Sequence, residues 1–228
     1  WNNTGFQTPD YFAVSNSVYY NFLRAPSFFD EVCYTGTGTN TTVTHNLQAV
    51  PELIITKSRT AGFSWGVYSQ TAGNDKILNL NTDARDASSP TSWNSTTPTA
   101  TVFSLGTNGL VNQSGGSHVA YLFATCAGVS KVGSYTGTGT TKQIDCGFTA
   151  GARFVLIKRI DDVADWYVWD TARGIVSGND PYLLINATAA EVSSTDYIDP
   201  YSAGFELSSA APDALNASGG SYIFLAIA

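Results

Sequence analysis

The hexapeptide Tyr-Thr-Gly-Thr-Gly-Thr occurs twice, at 34–39 and at 135–140, and the residues after each copy run in parallel almost to the C-terminus. A chain that repeats itself at this spacing is built from copies of one unit, so the period limits both domain count and topology. The step is 135 − 34 = 101, and Lys57 to Lys158 and Trp65 to Trp166 keep it. Asn81 to Asn186 gives 105, and the run Asn112-Gln113-Ser114-Gly115-Gly116-Ser117 matches Asn216-Ala217-Ser218-Gly219-Gly220-Ser221 at 104. The length differences therefore belong to loops. One lies around 174–179, where Gly, Asn and Ser gather and insertion costs little.

With 228 residues, two units of about 100 residues each make two small domains. The hydrophobic fraction of 43% supplies a core, while charged residues at 13% are about half the usual share, leaving the surface to Ser, Thr, Asn and Gly. The net charge of 11 − 18 = −7 excludes a general electrostatic grip on nucleic acid or anionic lipid. No apolar stretch approaches the roughly 18 residues that cross a bilayer, so no membrane insertion is expected.

Cys33, Cys126 and Cys146 are an odd number, which excludes a dense disulfide framework. Cys33 and Cys126 flank the first unit and would be in reach of each other if its ends meet. Cys146 stands where the first unit has His45 and reads as a packed position.

Trp1-Asn2-Asn3-Thr4 resembles Trp93-Asn94-Ser95-Thr96, and Val18-Tyr19-Tyr20-Asn21-Phe22 resembles Val119-Ala120-Tyr121-Leu122-Phe123. With no methionine in the chain, residues 1–24 read as the C-terminal half of an earlier repeat in something longer. The expected organisation is then a linker at 25–33, repeat 1 at 34–126, a linker at 127–134 and repeat 2 at 135–228.

Within repeat 1, strands are expected at 41–45, 53–57, 65–69, 77–81, 101–105 and 119–124, punctuated by turn residues. The run Leu53-Ile54-Ile55 and its partner at 154–157 are apolar without alternation, as in strands covered on both faces. The reading is all-β: tandem β-sandwich, jelly-roll-like repeats with little helix, limited to single turns at 84–88 and 187–192. Short linkers predict a rod of stacked units.

No residue pattern points to catalysis, a metal or a cofactor. His45 and His118 are replaced by Cys146 and Tyr222 in the second copy, no Gly-x-Ser-x-Gly elbow is present, and both histidines read as solvent-facing strand residues. Asp161, Asp162, Asp165, Asp170 and Asp180 cluster in sequence, but 161–165 reads as a polar hairpin loop, and the first copy has no acid at 58–64. Trp65 and Trp166 read as core residues rather than sugar platforms. Tyr167 and Trp169, with Asp170 and Arg173 nearby, make a binding surface if their strand face is exposed. Sequons at Asn40, Asn94, Asn112, Asn186 and Asn216 read as turn chemistry that marks exposure.

The segment Ala25-Pro26-Ser27-Phe28-Phe29-Asp30 before Tyr34-Thr35-Gly36-Thr37-Gly38, the strand at 53–57, Trp93-Asn94-Ser95-Thr96 and Val119-Ala120-Tyr121-Leu122-Phe123-Ala124 carry a pattern. Together they resemble repeated modules of tail-fibre and related virion proteins of tailed bacteriophages. Gly147-Phe148, 155–159, 166–170 and 219–222 carry the same likeness in the second copy. The resemblance implies a non-enzymatic virion surface component, extracellular on the tail or particle surface, that is oligomeric with a trimer favoured. It would contact other virion proteins and a host surface glycan or protein. The alternatives are a secreted carbohydrate-binding module and a capsid decoration protein. Asp30 and Cys33 match the lead-in pattern and acquire no role from it.

Overall fold

Short runs of β-branched and aromatic residues, separated by Gly, Thr and Asn turns, form the strands of two units. A computed structural model describes residues 19–228; the N-terminal part of the expected earlier repeat lies outside the described residues. The first unit comprises β1 (Phe29–Thr35), β2 (Thr41–Thr44), β3 (Leu53–Ser58), β4 (Gly66–Ser69), β5 (Lys76–Asn79), β6 (Ala87–Ser88), β7 (Val102–Leu105), the helical turn α1 (Gly109–Asn112) and β8 (Ser117–Phe123). The second comprises β9 (Ser130–Thr136), β10 (Lys142–Asp145), β11 (Phe154–Arg159), β12 (Trp166–Asp170), β13 (Leu183–Leu184), β14 (Ile198–Tyr201), β15 (Gly204–Leu207), α2 (Asp213–Asn216) and β16 (Ser221–Ile227).

The two units share a topology. Their large sheets run β1-β8-β3-β4-β5-β6 and β9-β16-β11-β12-β13, and small sheets run β2-β7 and β10-β15-β14. First strand pairs with last and second with the one before the helical turn, the nested antiparallel pairing of a rolled sandwich. Even the edge contact recurs: Ile77 pairs with Ala87 in one unit and Tyr182 with Val192 in the other, both at a step of 105. The main difference is β14, since the first unit turns at 91–95 in place of a third small-sheet strand.

β1 and β9 begin at Phe29 and Ser130, inside the stretches expected as linkers. The turns that precede them match, with bridges from Ala25 to Phe29 and from Cys126 to Ser130. Helical turns fall at α1 and α2, and neither 84–88 nor 187–192 is helical. Cys33, Cys126 and Cys146 are all free. The register places Phe29 opposite Phe123 and Cys33 opposite Val119, so Cys126 lies past the far end of the strand pair. Four strand residues, roughly 13 Å by strand rise, exceed the reach of a disulfide.

The pleat decides what each residue covers. Ile54, Tyr68, Ala120 and Leu122 enter the first unit's own core with Phe103 and Leu105 of its small sheet. Val155, Ile157, Trp169, Tyr222 and Phe224 do the same in the second, against Ile144, Phe205 and Leu207. The alternate residues form a third core shared by both units: Leu53, Ile55, Val67 and Phe123 on one side, Leu156, Trp166, Val168 and Leu225 on the other. The two large sheets therefore pack back to back, in a four-layer body with a small sheet at each outer side. This is why the apolar runs of β3 and β11 do not alternate.

The expected rod is corrected by this packing. Ile55 and Leu156, Val67 and Val168 are equivalent positions, so each unit presents the same face to the other. Such a self-complementary contact closes on itself and does not propagate into a stack. Backbone and side-chain bonds reinforce it: Ala164 N–H donates to the Asp83 carbonyl, Asp86 N–H to that of Ile160, and the Trp166 indole N–H to that of Asn79 at 2.9 Å. Lys158 is fully buried here and donates to the carbonyls of Asp83, at 2.9 Å, and Ala164. Burial pushes its ammonium down to about 8, against the pull of Asp83 and Asp165.

Candidate functional site

The repeated hexapeptide is a clasp. Tyr34 donates its hydroxyl to the Val111 carbonyl at 2.6 Å, and the Asn112 side chain accepts from Thr37 N–H while donating to the carbonyls of Thr39 and Gly106. A Cβ on Gly36 would stand 2.2 Å from the Gln113 carbonyl oxygen, and Gly38 has φ +69°, so glycine is required twice. The second copy repeats the device: Tyr135 to the Leu215 carbonyl, Thr138 N–H to Asn216, Asn216 to the Thr140 carbonyl, and Gly137 with its virtual Cβ 2.2 Å from the Ala217 oxygen. Asn112 and Asn216 are therefore buried anchors, contrary to their reading as exposed sequons. Asn40 is exposed, Asn94 and Asn186 are partly buried, and Asn186 accepts from Trp166 N–H as Asn81 does from Trp65 N–H.

Both histidines are buried, which corrects their reading as solvent-facing. His45 bonds the Thr99 carbonyl, and His118 stacks on Tyr34 with centroids 5.1 Å apart. Burial pushes both imidazoles down from their ordinary value. Tyr222, at the place of His118, stacks on Tyr135 in the same way.

The acidic residues are held apart. Asp161 pairs with Arg159 in the β11–β12 loop, Asp162 is largely exposed, and Asp165 accepts from Asn186. Asp180 is wholly buried, accepts from the N–H groups of Val176, Tyr197 and Ile198, and fastens the inserted 174–179 loop to the small sheet; burial pushes its carboxyl up to about 6. Among the described residues, no group of three His, Cys, Asp or Glu side chains is placed to share a metal ion. Tyr167 and Trp169 do not form a binding surface, because that face of β12 lies in the second unit's core and the opposite face, with Trp166 and Val168, lies in the shared core.

Asp170 and Arg173 do come together, with a partner distant in sequence. Arg173 donates to Asp170 at 2.8 Å and to the Tyr20 hydroxyl at 2.7 Å; Tyr20 donates to Asp170 at 2.9 Å, and Glu191 faces the Arg173 guanidinium at 3.2 Å. Burial pushes the Tyr20 phenol up to about 12, the hydrogen bond to Asp170 adding and Arg173 opposing. This network seats residues 19–24 along the open margin between the two large sheets. There Phe22 meets Phe123 and Phe154 edge-on at 5.4 and 6.0 Å, and Tyr20 meets Phe154 at 5.1 Å.

A recess opens on each flank of that segment. One, of about 620 Å³, is lined by Tyr20, Phe22, Phe28, Arg153 and Phe154 together with Asp170 and Arg173. The other, of about 460 Å³, is lined by Asn21, Phe22, Glu31, Trp65 and Tyr121. Trp65 is only partly buried, whereas its counterpart Trp166 is sealed in the shared core. The reading of both tryptophans as core residues thus holds for Trp166 and only in part for Trp65. Lys57 Nζ sits 5.9 Å from the Trp65 ring centre, and the Trp65 indole N–H has no hydrogen-bond partner among the described residues.

A family model described as a domain of unknown function (DUF7483) matches residues 17–228. The chain belongs to the DUF7483 family. One match spans both units and the residues that seat Tyr20 and Phe22 between them, so the DUF7483 region takes in the shared core as well as each sandwich. No curated protein and no solved structure matches this DUF7483 chain. Among the described residues, no helix is long and apolar enough to cross a membrane. Sequence reasoning missed Tyr20, Phe22 and Arg153 as groove residues. Their only local signal is aromatic density, and what assembles them is the pairing of two sheets.

Proposed function

We propose that this chain is a structural and adhesive segment of a tailed-phage virion, part of a tail fibre at the particle surface, without catalytic activity of its own. The observation that supports this reading most is how its repeated polar motif is used. Both copies of Tyr-Thr-Gly-Thr-Gly-Thr and their asparagines are consumed in holding loops, as suits a module selected for shape. The fibre is an oligomer, a trimer by the resemblance, in contact with other virion proteins and with a host surface glycan or protein. The partly exposed Trp65 equally suits a carbohydrate-binding module of a secreted enzyme, and locating the chain in an intact particle by electron microscopy separates the two.

A low-charge surface gains specificity from shape and hydrogen bonds, so single contacts are weak and several copies must act together. Trimers made with an appended trimerisation domain are expected to adsorb to host cells at least about 100-fold better than monomers, the usual scale of avidity, with little loss across a salt series. Equal adsorption by both forms, or steep loss at moderate salt, contradicts the adhesive reading.

A further inference from the structure

We infer that the two recesses beside residues 19–24 form one groove for a neutral oligosaccharide, with Trp65 as a stacking platform and Arg153 and Glu31 as hydrogen-bonding ends. This inference rests on the adhesive reading and names its ligand class. The recesses share Tyr20, Asn21 and Phe22, so a ligand lying across that ridge reaches both. Each is large enough for a sugar ring or two and small beside a protein-binding surface.

Three observations carry the assignment. The first is the unequal treatment of two equivalent tryptophans: Trp166 buries its ring and satisfies its indole N–H across the interface, while Trp65 is only partly buried, lines the recess with Lys57 over its ring, and makes no indole hydrogen bond among the described residues. An aromatic ring with its polar handle in a recess offers a flat face to sugar C–H groups and a donor to a hydroxyl. The second is rigidity. The ridge is held by the Tyr20–Asp170–Arg173 bonds and the Phe22 contacts, so little ordering accompanies binding.

The third is charge. Arg153 is exposed in one recess and Glu31 in the other, and neither makes an ion pair among the described residues. A polyanion would be repelled at Glu31 and a polycation at Arg153. A polyhydroxylic neutral chain can accept from the guanidinium at one end and donate to the carboxylate at the other. Asn21, exposed on the ridge between them, can do either.

The test uses cellotetraose, maltotetraose and chitotetraose as neutral probes and tetragalacturonate as the charged one, followed by saturation-transfer NMR and calorimetric titration. At least one neutral probe is expected to bind with chemical-shift changes at the Trp65 indole N–H. Trp65→Ala is expected to weaken binding about tenfold and Arg153→Ala several-fold, a difference of about one decade being readily resolved. Because Trp65 is partly buried, its variant is paired with the exposed Arg153→Ala and with Arg85→Ala as a control, each at an unchanged unfolding midpoint. No binding by any neutral probe, tighter binding of tetragalacturonate, or binding unaffected by both variants overturns the groove. Its failure is separable from that of adhesion: trimers of Trp65→Ala that adsorb as well as the parent sink the groove alone. Neutral probes that bind at Trp65 while parent trimers do not adsorb sink adhesion alone.

Discussion

Replacing Leu156 by Asp is expected to unfold both units together. Leu156 lies at the centre of the shared core, 4% exposed, opposite the first unit's large sheet. The change removes an apolar side chain worth about 2–5 kcal/mol in a core and puts a carboxylate in its place, which adds several kcal/mol more. The sum is comparable with the whole stability of a typical domain, about 5–15 kcal/mol. Because the face belongs to both units, the loss should be read equally by probes in each. Near-ultraviolet circular dichroism should fall for the whole chain, while Val163→Asp, at a position 60% exposed in a loop of the same unit, leaves the spectrum and midpoint unchanged. A Leu156→Asp chain that keeps a native first unit contradicts the shared core.

The second large effect concerns the clasps. Asn112→Ala leaves Thr37 N–H without its acceptor and the carbonyls of Thr39 and Gly106 without their donor, in a site where the asparagine is fully buried. Three lost bonds at about 1 kcal/mol each, with the burial penalty of the orphaned groups, give a destabilisation of about 3–5 kcal/mol. Asn216→Ala, which loses the bonds to Thr138 and Thr140, is expected to cost about 2–4 kcal/mol on the same scale. Denaturant unfolding measures both. A loss below about 1 kcal/mol for either, the range of ordinary surface changes, shows that the clasp is not what holds the repeated loop.

The repeated hexapeptide and most strands are legible in the sequence because they depend on short-range pattern, whereas the clasps are not, since Asn112 and Asn216 meet their partners across more than 70 residues. The repeat step located both copies of Tyr-Thr-Gly-Thr-Gly-Thr, and apolar runs with turn residues located β2, β3, β4, β5, β7 and β8 to within a few residues. β1 is read as part of a linker because Phe29-Asp30-Glu31-Val32-Cys33 alternates weakly, with Asp30 turned inward to Arg24 and the Asn46 N–H. The shared core was only half legible. Leu53-Ile54-Ile55 says that both faces of a strand are covered, yet nothing local says that the second cover is the other repeat. The same limit hid the groove. Trp65 and Trp166 hold the same position in the repeat, and what separates them is the placing of residues 19–24 along one margin of the paired sheets. That margin brings Tyr20 to Asp170 and Arg173 across 150 or more residues, a distance over which periodicity carries no information.

Back-to-back pairing of the two repeats is the claim on which the groove and the closed four-layer body both depend. Scanning calorimetry of the intact chain tests it most directly. One transition is expected, with calorimetric and van't Hoff enthalpies equal, because neither unit keeps the back face of its large sheet covered without the other. Two separable transitions, or a van't Hoff enthalpy near half the calorimetric value, would mean that each repeat folds alone and would contradict the account.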